Sequence, residues 1–565
     1  MTSTDASAAT PPQASDTPTG MSQKNIILLF IGLMITMLLA ALNQTVLSTA
    51  LPTIVGELNG VDQMTWVITA YILAMTIVMP VYGRISDLIG RKPALLFAIS
   101  VFMAGSIVGA LAGNIVWLIV GRIVQGLGGG GLMILAQAAI ADVVSPRDRG
   151  RYMGFMGAVF AVASVAGPLL GGWLTEGPGW RWAFWMNIPL GALAIAATLA
   201  FMRLPKPDHA QRPKLDYLGM TLIAAATTTL VLMCTWGGHT YDWTSPQIIG
   251  LGVATIVLAV IFVFVEKRAA MPVIPMQLFS NRNFTLVTIA ALMVGIAMFG
   301  ALGYMPTYIQ MVTGVDATVA GLYMTPMMGG LLITSVISGQ LISRFGKYKL
   351  YPLAGAVVIG IALALISTMH PSTPNWQMCI YLAIFGIGLG LIMQILTLIV
   401  QNEFPGAFVG TATASNNYFR QVGATLGSAI VGSIFASRLV DLLKENLGGS
   451  ADKLSSSGGG QNSLTPALVD SLPDQLRVPI VESYNDALLP IFLFFVPLAV
   501  VAFIALLFVD ERPLSTKVRG EAEIEGLGEG QVLPEPFDVP DHVDGDESAT
   551  RVRAAAASAT KDRAH

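Results

Sequence analysis

Charge is what this 565-residue sequence has least of: 12% of its residues are charged, against 54% that are hydrophobic. A soluble domain carries about a quarter charged residues, so most of this chain has too little polar surface to face water. Cysteine is nearly absent. Cys234 and Cys379 both fall in or beside apolar runs, so no disulfide framework is implied. A net charge of −3 offers nothing to a polyanion, and no nucleic-acid partner is expected. The pattern Gly-x-x-x-x-Gly-Lys-[Ser/Thr] does not occur, which leaves no recognisable cradle for ATP. The glycines at 126 and 128–131 stand inside an apolar helix with no Lys behind them, where they permit close helix packing. Neither a metal-ligand cluster nor a suitably placed Ser/His pair is visible, so an enzyme is not expected.

What fills the chain instead is a succession of apolar runs of about 20 residues, the length that crosses a bilayer. Spans are expected at 26–50, 64–83, 94–112, 115–138, 152–174, 182–203, 218–235, 248–265, 284–308, 319–341, 350–369, 378–400, 412–436 and 488–509. The reading is an all-α integral membrane protein of fourteen helices. Residues 1–24, rich in Ser, Thr, Ala and Pro, read as a disordered tail. The run that follows is longer than a signal-peptide core and lacks a convincing cleavage site, so it reads as a retained first helix. The short loops on one side hold Arg84, Arg91, Lys92, Arg147, Arg149 and Arg151, then further Lys and Arg at 203–214, 267–282 and 344–349; those on the other hold only Arg181. Basic loops stay inside, which places both termini in the cytoplasm and the chain in the cytoplasmic (inner) membrane.

One internal repeat is visible. Gly83-Arg-Ile-Ser-Asp-Leu-Ile-Gly90-Arg-Lys follows the second span, and Gly339-Gln-Leu-Ile-Ser-Arg-Phe-Gly346-Lys-Tyr-Lys follows the tenth. Aligning the two makes the ninth span the partner of the first. The plan is six helices (25–203), a two-helix insertion (204–283) and six more (284–509), followed by a disordered cytoplasmic tail (510–565). Parallel halves of this kind place a substrate site between them, near the bilayer midplane. The long outer segment 437–487 carries leucines at helical spacing before a Gly/Ser-rich stretch, and reads as an amphipathic helix or hairpin on the outer surface. It serves either as a lid or partner contact, or as a tolerated insertion.

At this point the motifs match a family. The loop Gly83–Lys92 resembles the loop signature of the major facilitator superfamily, and Gly167-Pro-Leu-Leu-Gly-Gly172 resembles its antiporter signature. Trp180-Arg-Trp-Ala-Phe-Trp-Met-Asn-Ile-Pro189, Thr411-Ala-Thr-Ala414 and Phe419-Arg-Gln-Val-Gly-Ala-Thr-Leu-Gly427 are similar to patterns of its fourteen-helix drug:proton antiporters, the EmrB/QacA type. The resemblance covers roughly residues 25 to 510. It implies efflux of drugs or other small amphiphiles across the membrane in exchange for protons. A proton gradient would replace any cofactor, lipid would be the surroundings, and a single chain the working unit.

The charges within this frame carry the chemistry. Gly83 and Gly90 allow a tight approach and turn, and Arg91 follows directly. Asp87 either pairs across the two halves with Arg420, latching one conformation, or pairs locally with Arg84 or Arg91. The second copy has Ser343 at the position of Asp87, so such a latch would be one-sided. Gly167, Pro168, Gly171 and Gly172 give the fifth span a thin, bendable face. Arg122 lies some seven residues into the fourth span, about 10 Å deep, and intramembrane ionisable residues usually serve function. With Gln125 and Gly126 it resembles the family's fourth-helix motif, in which the arginine is linked to proton transfer.

Leu42-Asn-Gln-Thr-Val-Leu-Ser-Thr-Ala-Leu-Pro52 resembles the family's first-helix motif, but Asn43 stands where the family usually has Asp. An amide cannot titrate. Three readings follow: coupling through Glu57, Asp142 or Asp87, coupling through substrate charge drawn by Arg122 into the cavity, or no coupling. The first is preferred. Candidates for the substrate cavity are Tyr71, Met75, Gln137, Tyr304, Tyr308, Tyr323, Met327, Gln394 and Asn416, polar, aromatic or flexible residues amid apolar helices. The competing functions are a dedicated exporter of a lipid, cell-envelope precursor or anionic metabolite, and a scaffold or sensor with a transporter's body.

Overall fold

The computed structural model describes residues 23–514 except 59, 61–62, 203–214, 239, 316, 405, 448–468 and 470–471. Fourteen of its helices are long and apolar enough to cross a membrane. They are α1 (Lys24–Glu57), α2 (Met64–Ile89), α3 (Arg91–Ala110), α4 (Ile115–Val143), α5 (Pro146–Glu176), α6 (Trp182–Phe201) and α7 (Tyr217–Trp236). The remainder are α8 (Pro246–Glu266), α9 (Arg282–Thr313), α10 (Val319–Phe345), α11 (Leu350–Ser367), α12 (Asn375–Glu403), α13 (Phe408–Leu447) and α14 (Gln475–Leu507). No strand occurs among the described residues.

Local chemistry sets many of the helix ends. Asn114, Ser145, Asp216, Ser245 and Asn281 each accept a hydrogen bond from the backbone N–H three residues on, capping α4, α5, α7, α8 and α9. α9 and α10 stop at Gly314 and Gly346, whose left-handed backbone (φ 69° and 75°) exposes the last carbonyls to capping.

Helices α1–α6 pack on one another around Phe30, Phe102, Leu135 and Met156. α9–α14 do the same around Phe284, Phe385, Phe404 and Phe492. The two groups meet chiefly through α5 against α10 and α2 against α13. α7 rests on both α2 and α13, with the hydroxyls of Thr227 and Tyr418 2.8 Å apart, and α8 packs chiefly on α7. Ile249, Val253, Ile256 and Val260 give α8 an exposed apolar stripe, suited to lipid. The arrangement is thus six helices, two, and six.

Three of the helices are broken internally. Trp182–Trp185 and Asn187–Phe201 meet at a break within α6, as do Ala317–Tyr323 and Thr325–Phe345 within α10 and Asp474–Leu493 and Val496–Leu507 within α14. In the latter two a proline, Pro326 or Pro497, opens the second piece, since it lacks the N–H that would continue the bonding. α13 spans 40 residues, about 60 Å at 1.5 Å per residue and twice a ~30 Å hydrocarbon core. The span was expected to end at 436, with the helically spaced leucines beyond it in the outer segment; neither Gly nor Pro interrupts 437–447, and the two run on as one helix.

The described parts of the segment 437–487 are therefore not a surface-lying hairpin. They are chiefly the projecting ends of α13 and α14, bound by Arg438 to the Asp486 carbonyl and by Asn446 to the Ser483 hydroxyl, each at 2.9 Å; its Gly/Ser-rich stretch lies outside the described residues. The expected C-terminal tail also starts later than 510. Asp510 exchanges two 2.9 Å hydrogen bonds with Asn283, and the Glu511 carboxylate accepts from the Tyr348 N–H at 2.7 Å.

Candidate functional site

Inside the first six-helix group, four helices bring polar side chains to one point. Gln125 of α4 donates to Asn43 Oδ1 of α1 (3.1 Å) and to Ser106 Oγ of α3 (2.7 Å). Asn187 of α6 donates to the same two atoms at 3.2 Å. Arg122 donates to Gln125 Oε1 (2.8 Å) and to the Val67 carbonyl (3.2 Å), and its guanidinium lies 4.0 Å from the centre of the Tyr71 ring. Asn43 Nδ2 and Asn187 Oδ1 find no partner. Position 43 thus receives two donors on one atom and presents a buried, unused donor of its own. A carboxylate there would suit the same donors and leave no idle N–H.

Arg122 is 2% exposed and sits behind Tyr71, within the helix group. It is not among the residues that line the cavities described below. A buried guanidinium without a carboxylate is sustained by neutral acceptors and by the ring face.

The arginine-rich end, where α2 passes into α3, is closed. Gly83 lies against Ala414 and Gly410 of α13, so closely that a Cβ would come within 2.8 Å of the Gly410 carbonyl. That proximity lets Asp87 reach α13. Its carboxylate accepts from the N–H groups of Gly410 (3.1 Å) and Thr411 (2.7 Å) and from the Thr411 hydroxyl (2.5 Å). It also pairs with Arg91, which turns its Nε to Asp142 at 2.9 Å. Gly90, at φ 96°, makes the turn between α2 and α3 that directs Arg91 inward. A carboxylate on the opening turns of a helix is favoured by that helix's dipole.

The expected partner Arg420 is not there: it donates to Asn417 Oδ1 at 2.5 Å. Of the local alternatives, Arg91 is the partner, while Arg84 lies over the Phe408 ring with its Nε unbonded. Deeper in the same seam Asn417 donates to Gln137 Oε1 (3.1 Å) and Gln401 to the Gln137 carbonyl (3.2 Å).

The α5–α10 contact closes the same end. Gly150 and Gly154 lie on Gly339 and Ser335, and Arg147 donates to the carbonyls of Ser343 (3.0 Å) and Arg344 (2.7 Å). The Ser343 hydroxyl meets Asp148 at 3.2 Å. Further along α5, Gly167 packs on Thr45 and Gly171 on Val46 and Thr49, so the antiporter-like stretch holds α1 rather than a helix of the other group. Pro168 lies within an α5 that stays helical from Pro146 to Glu176, and Gly172 faces open space. Glu57 belongs to the opposite end, bound to Arg181 (2.7 Å) and the Trp180 indole (2.8 Å).

Between α2 and α13, toward that opposite end, lies a cavity of about 470 Å³. Its walls come from α1, α2, α7, α9 and α13, and include Gln44, Ile68, Ile72, Cys234, Tyr304 and Gln421. The size falls within the ~300–1,000 Å³ of ligand pockets. None of its lining residues is Asp, Glu, Lys, Arg or His.

Of the nine expected cavity residues, Tyr304 alone lines it. Tyr71 is under Arg122, Met75 packs with Met79, Ile134 and Ala414, and Gln137 is in the closed seam. Tyr308 donates to Asn485 (2.8 Å), Tyr323 accepts from Asn375 (2.9 Å), and Met327 is buried beneath Gly386. Gln394 borders a small void beside Gly157 and Ser335 with neither amide atom bonded, and Asn416 Oδ1 is likewise unpaired. Asn187 and Thr411 lie in stretches already marked by resemblance, where no role was given to either. Ser106 went unnoticed; its only signal was polarity inside an apolar helix, which many idle residues share.

Two six-helix groups joined at one end and parted by a ligand-sized cavity toward the other define a membrane transporter. The sequence matches the Major Facilitator Superfamily over residues 33–428, and the chain belongs to that family. It is 41% identical over 515 residues to an uncharacterised MFS-type transporter of Mycobacterium tuberculosis, covering 91% of this chain and 73% of that one. It is 35% identical to the multidrug transporter protein MdtP of Bacillus subtilis (80% and 83% covered) and 32% to that organism's multidrug resistance protein 3 (86% and 95%). Among solved structures, the human organic anion transporter MFSD10 superposes with a TM-score of 0.56 at 14% identity, covering 85% of this chain and 99% of that one. A double-Trp mutant of XylE gives 0.56 at 14%, covering 88% and 99%. Both likenesses concern the fold.

Proposed function

We propose that this transporter exports small amphiphilic molecules across the cytoplasmic membrane in exchange for protons, by alternating access of a site between its two six-helix groups. The observation that carries the reading is the asymmetry of the seam. It is locked by Asp87, Arg147 and facing glycines at the arginine-rich end, and it holds an uncharged cavity toward the other. By the bias of basic loops the locked end faces the cytoplasm and the cavity faces outward, the arrangement from which an exporter releases its cargo. The mixed lining of aliphatic, hydroxyl and amide groups suits amphiphiles of varied shape. The relatives named for multidrug transport support the same class of cargo.

The proton is assigned to the Asp87–Arg91–Asp142 cluster. Neutralising Asp87 would weaken its hold on α13 and its pair with Arg91, so protonation and release of the locked end are one event. Glu57 is spent on Arg181 and Trp180 within its own helix group. The chain works alone, with lipid around it and no cofactor beyond the gradient.

The test is ethidium uptake into energised inside-out vesicles, with the pH gradient imposed and then collapsed, for wild type and Asn43→Asp. Wild type is expected to pump only while the gradient lasts. If Asn43→Asp alone pumps, the coupling assignment is wrong and position 43 holds the missing acid. If neither moves ethidium while both fold, multidrug export is the wrong cargo class.

A further inference from the structure

We infer that the inserted helix α7 is a wall of the ligand cavity, and that the cavity it completes takes an uncharged or charge-delocalised amphiphile that also hydrogen bonds. The inference rests on the export reading above and names its binding site more closely. A plan of six plus six helices needs neither α7 nor α8 to form a seam. Yet α7 is fastened across that seam at two levels. Toward the locked end Thr227 hydrogen bonds to Tyr418 of α13. At the other end Trp236 meets Trp66 of α2 edge to face, with ring centres 6.2 Å apart.

Between these fastenings Val231, Cys234 and Thr235 face the cavity, opposite groups from α1, α9 and α13. α2 and α13 touch at Gly83 and Ala414, but farther along both become walls of the cavity, and α7 bridges them. It closes the space on the side where α8 turns its apolar stripe outward. Without α7 the cavity would open sideways.

The ligand class follows from the lining. With no Asp, Glu, Lys, Arg or His on the wall, a localised charge would leave water for a site with no counter-charge, which is costly. A delocalised charge loses less hydration, and an uncharged molecule less still. Thr69, Thr235, Thr425, Ser428, Gln44 and Gln421 supply hydroxyl and amide partners, so a purely hydrocarbon ligand would waste them.

The test uses Cys234 as a reporter. In the Cys379→Ser protein, reconstituted in nanodiscs, Cys234 is the sole thiol. Its alkylation by N-ethylmaleimide is followed with and without saturating ethidium, beside transport in proteoliposomes. Ethidium is expected to slow alkylation by about tenfold, and Val231→Trp to raise the KM for ethidium by about tenfold. Thr235→Ala, too small a change to endanger folding, should raise KM about threefold, while Ile256→Trp on the outer face of α8 should leave it unchanged. Ethidium transport with an unprotected Cys234 and an unchanged KM in Thr235→Ala would overturn the inference and leave export standing. No ethidium transport by wild type would sink export, and this inference with it.

Discussion

After α2, the carboxylate of the repeated loop reaches across to the other helix group. Asp87 binds the N–H groups of Gly410 and Thr411, and its side chain is 1% exposed. After α10, the matching position holds Ser343, and the reach is reversed. There α10 offers backbone carbonyls, and Arg147 of α5 comes to them with Asp148 beside it. What the two copies share is therefore a junction between one group's loop and the other group's helix start, not a residue. The latch expected to be one-sided is two-sided, with its charge moved to the partner in the second copy. The copies also differ in depth. The first junction is dry and built on paired charges, whereas Arg147 meets the exposed Arg344 carbonyl at the surface.

That difference orders the expected effects. Asp87→Asn should do the most damage, because it leaves Arg91 buried with half its countercharge gone. Breaking a buried pair costs about 3–5 kcal/mol. Spin labels placed across the locked end should report a large shift to longer distances, and transport should fall by two orders of magnitude or about that. Retention of the short distance would show that glycine packing alone holds the end.

Gly339→Leu should come next. Its side chain would collide with the Gly150 backbone, and overpacking costs about 1–3 kcal/mol. Thermal unfolding and the same spin-label distance check it, and an unaltered distance would remove α5–α10 from the lock. Arg147→Ala loses two hydrogen bonds from a charged donor at a partly wet site, about 1–2 kcal/mol. It should broaden the distance distribution without abolishing transport. Ser343→Asp sharpens the comparison most. By sequence it restores the first copy's carboxylate, but here it would set a second negative charge within reach of Asp148. The account predicts a slight weakening, below about 1 kcal/mol at this exposed position, rather than a gain.

The fold was legible because its main signal, runs of about 20 apolar residues, is also its main physical cause. Positions of charge were legible too: Asp87, Arg91, Arg122 and Asp142 all prove to be buried or paired. Their partners were not. Asp87 binds backbone N–H groups, which every residue carries and no side-chain pattern marks, so a cation such as Arg420 looked the better match. The lining of the large cavity was hard to pick out for a related reason. Threonines, alanines and isoleucines selected by height along the seam make up half of it, whereas the conspicuous Tyr308, Gln137 and Met327 are spent on packing or hydrogen bonds. The helical spacing of the leucines after 436 was legible, but not that they continue α13 without a break, since no Gly or Pro stands at 437–447 to stop it.

The central claim is that the arginine-rich end must open for each cycle. Arg147→Cys with Arg344→Cys, in a chain whose Cys234 and Cys379 are replaced by serine, is bridged across that end by a bifunctional methanethiosulfonate. The length of an arginine side chain separates the two backbones, and a direct disulfide would not span it. Ethidium efflux from energised vesicles is then measured before cross-linking, after it, and after reduction. The account predicts efflux that stops on cross-linking and returns when the cross-link is reduced. Efflux that continues at its original rate through a fully cross-linked protein would contradict it.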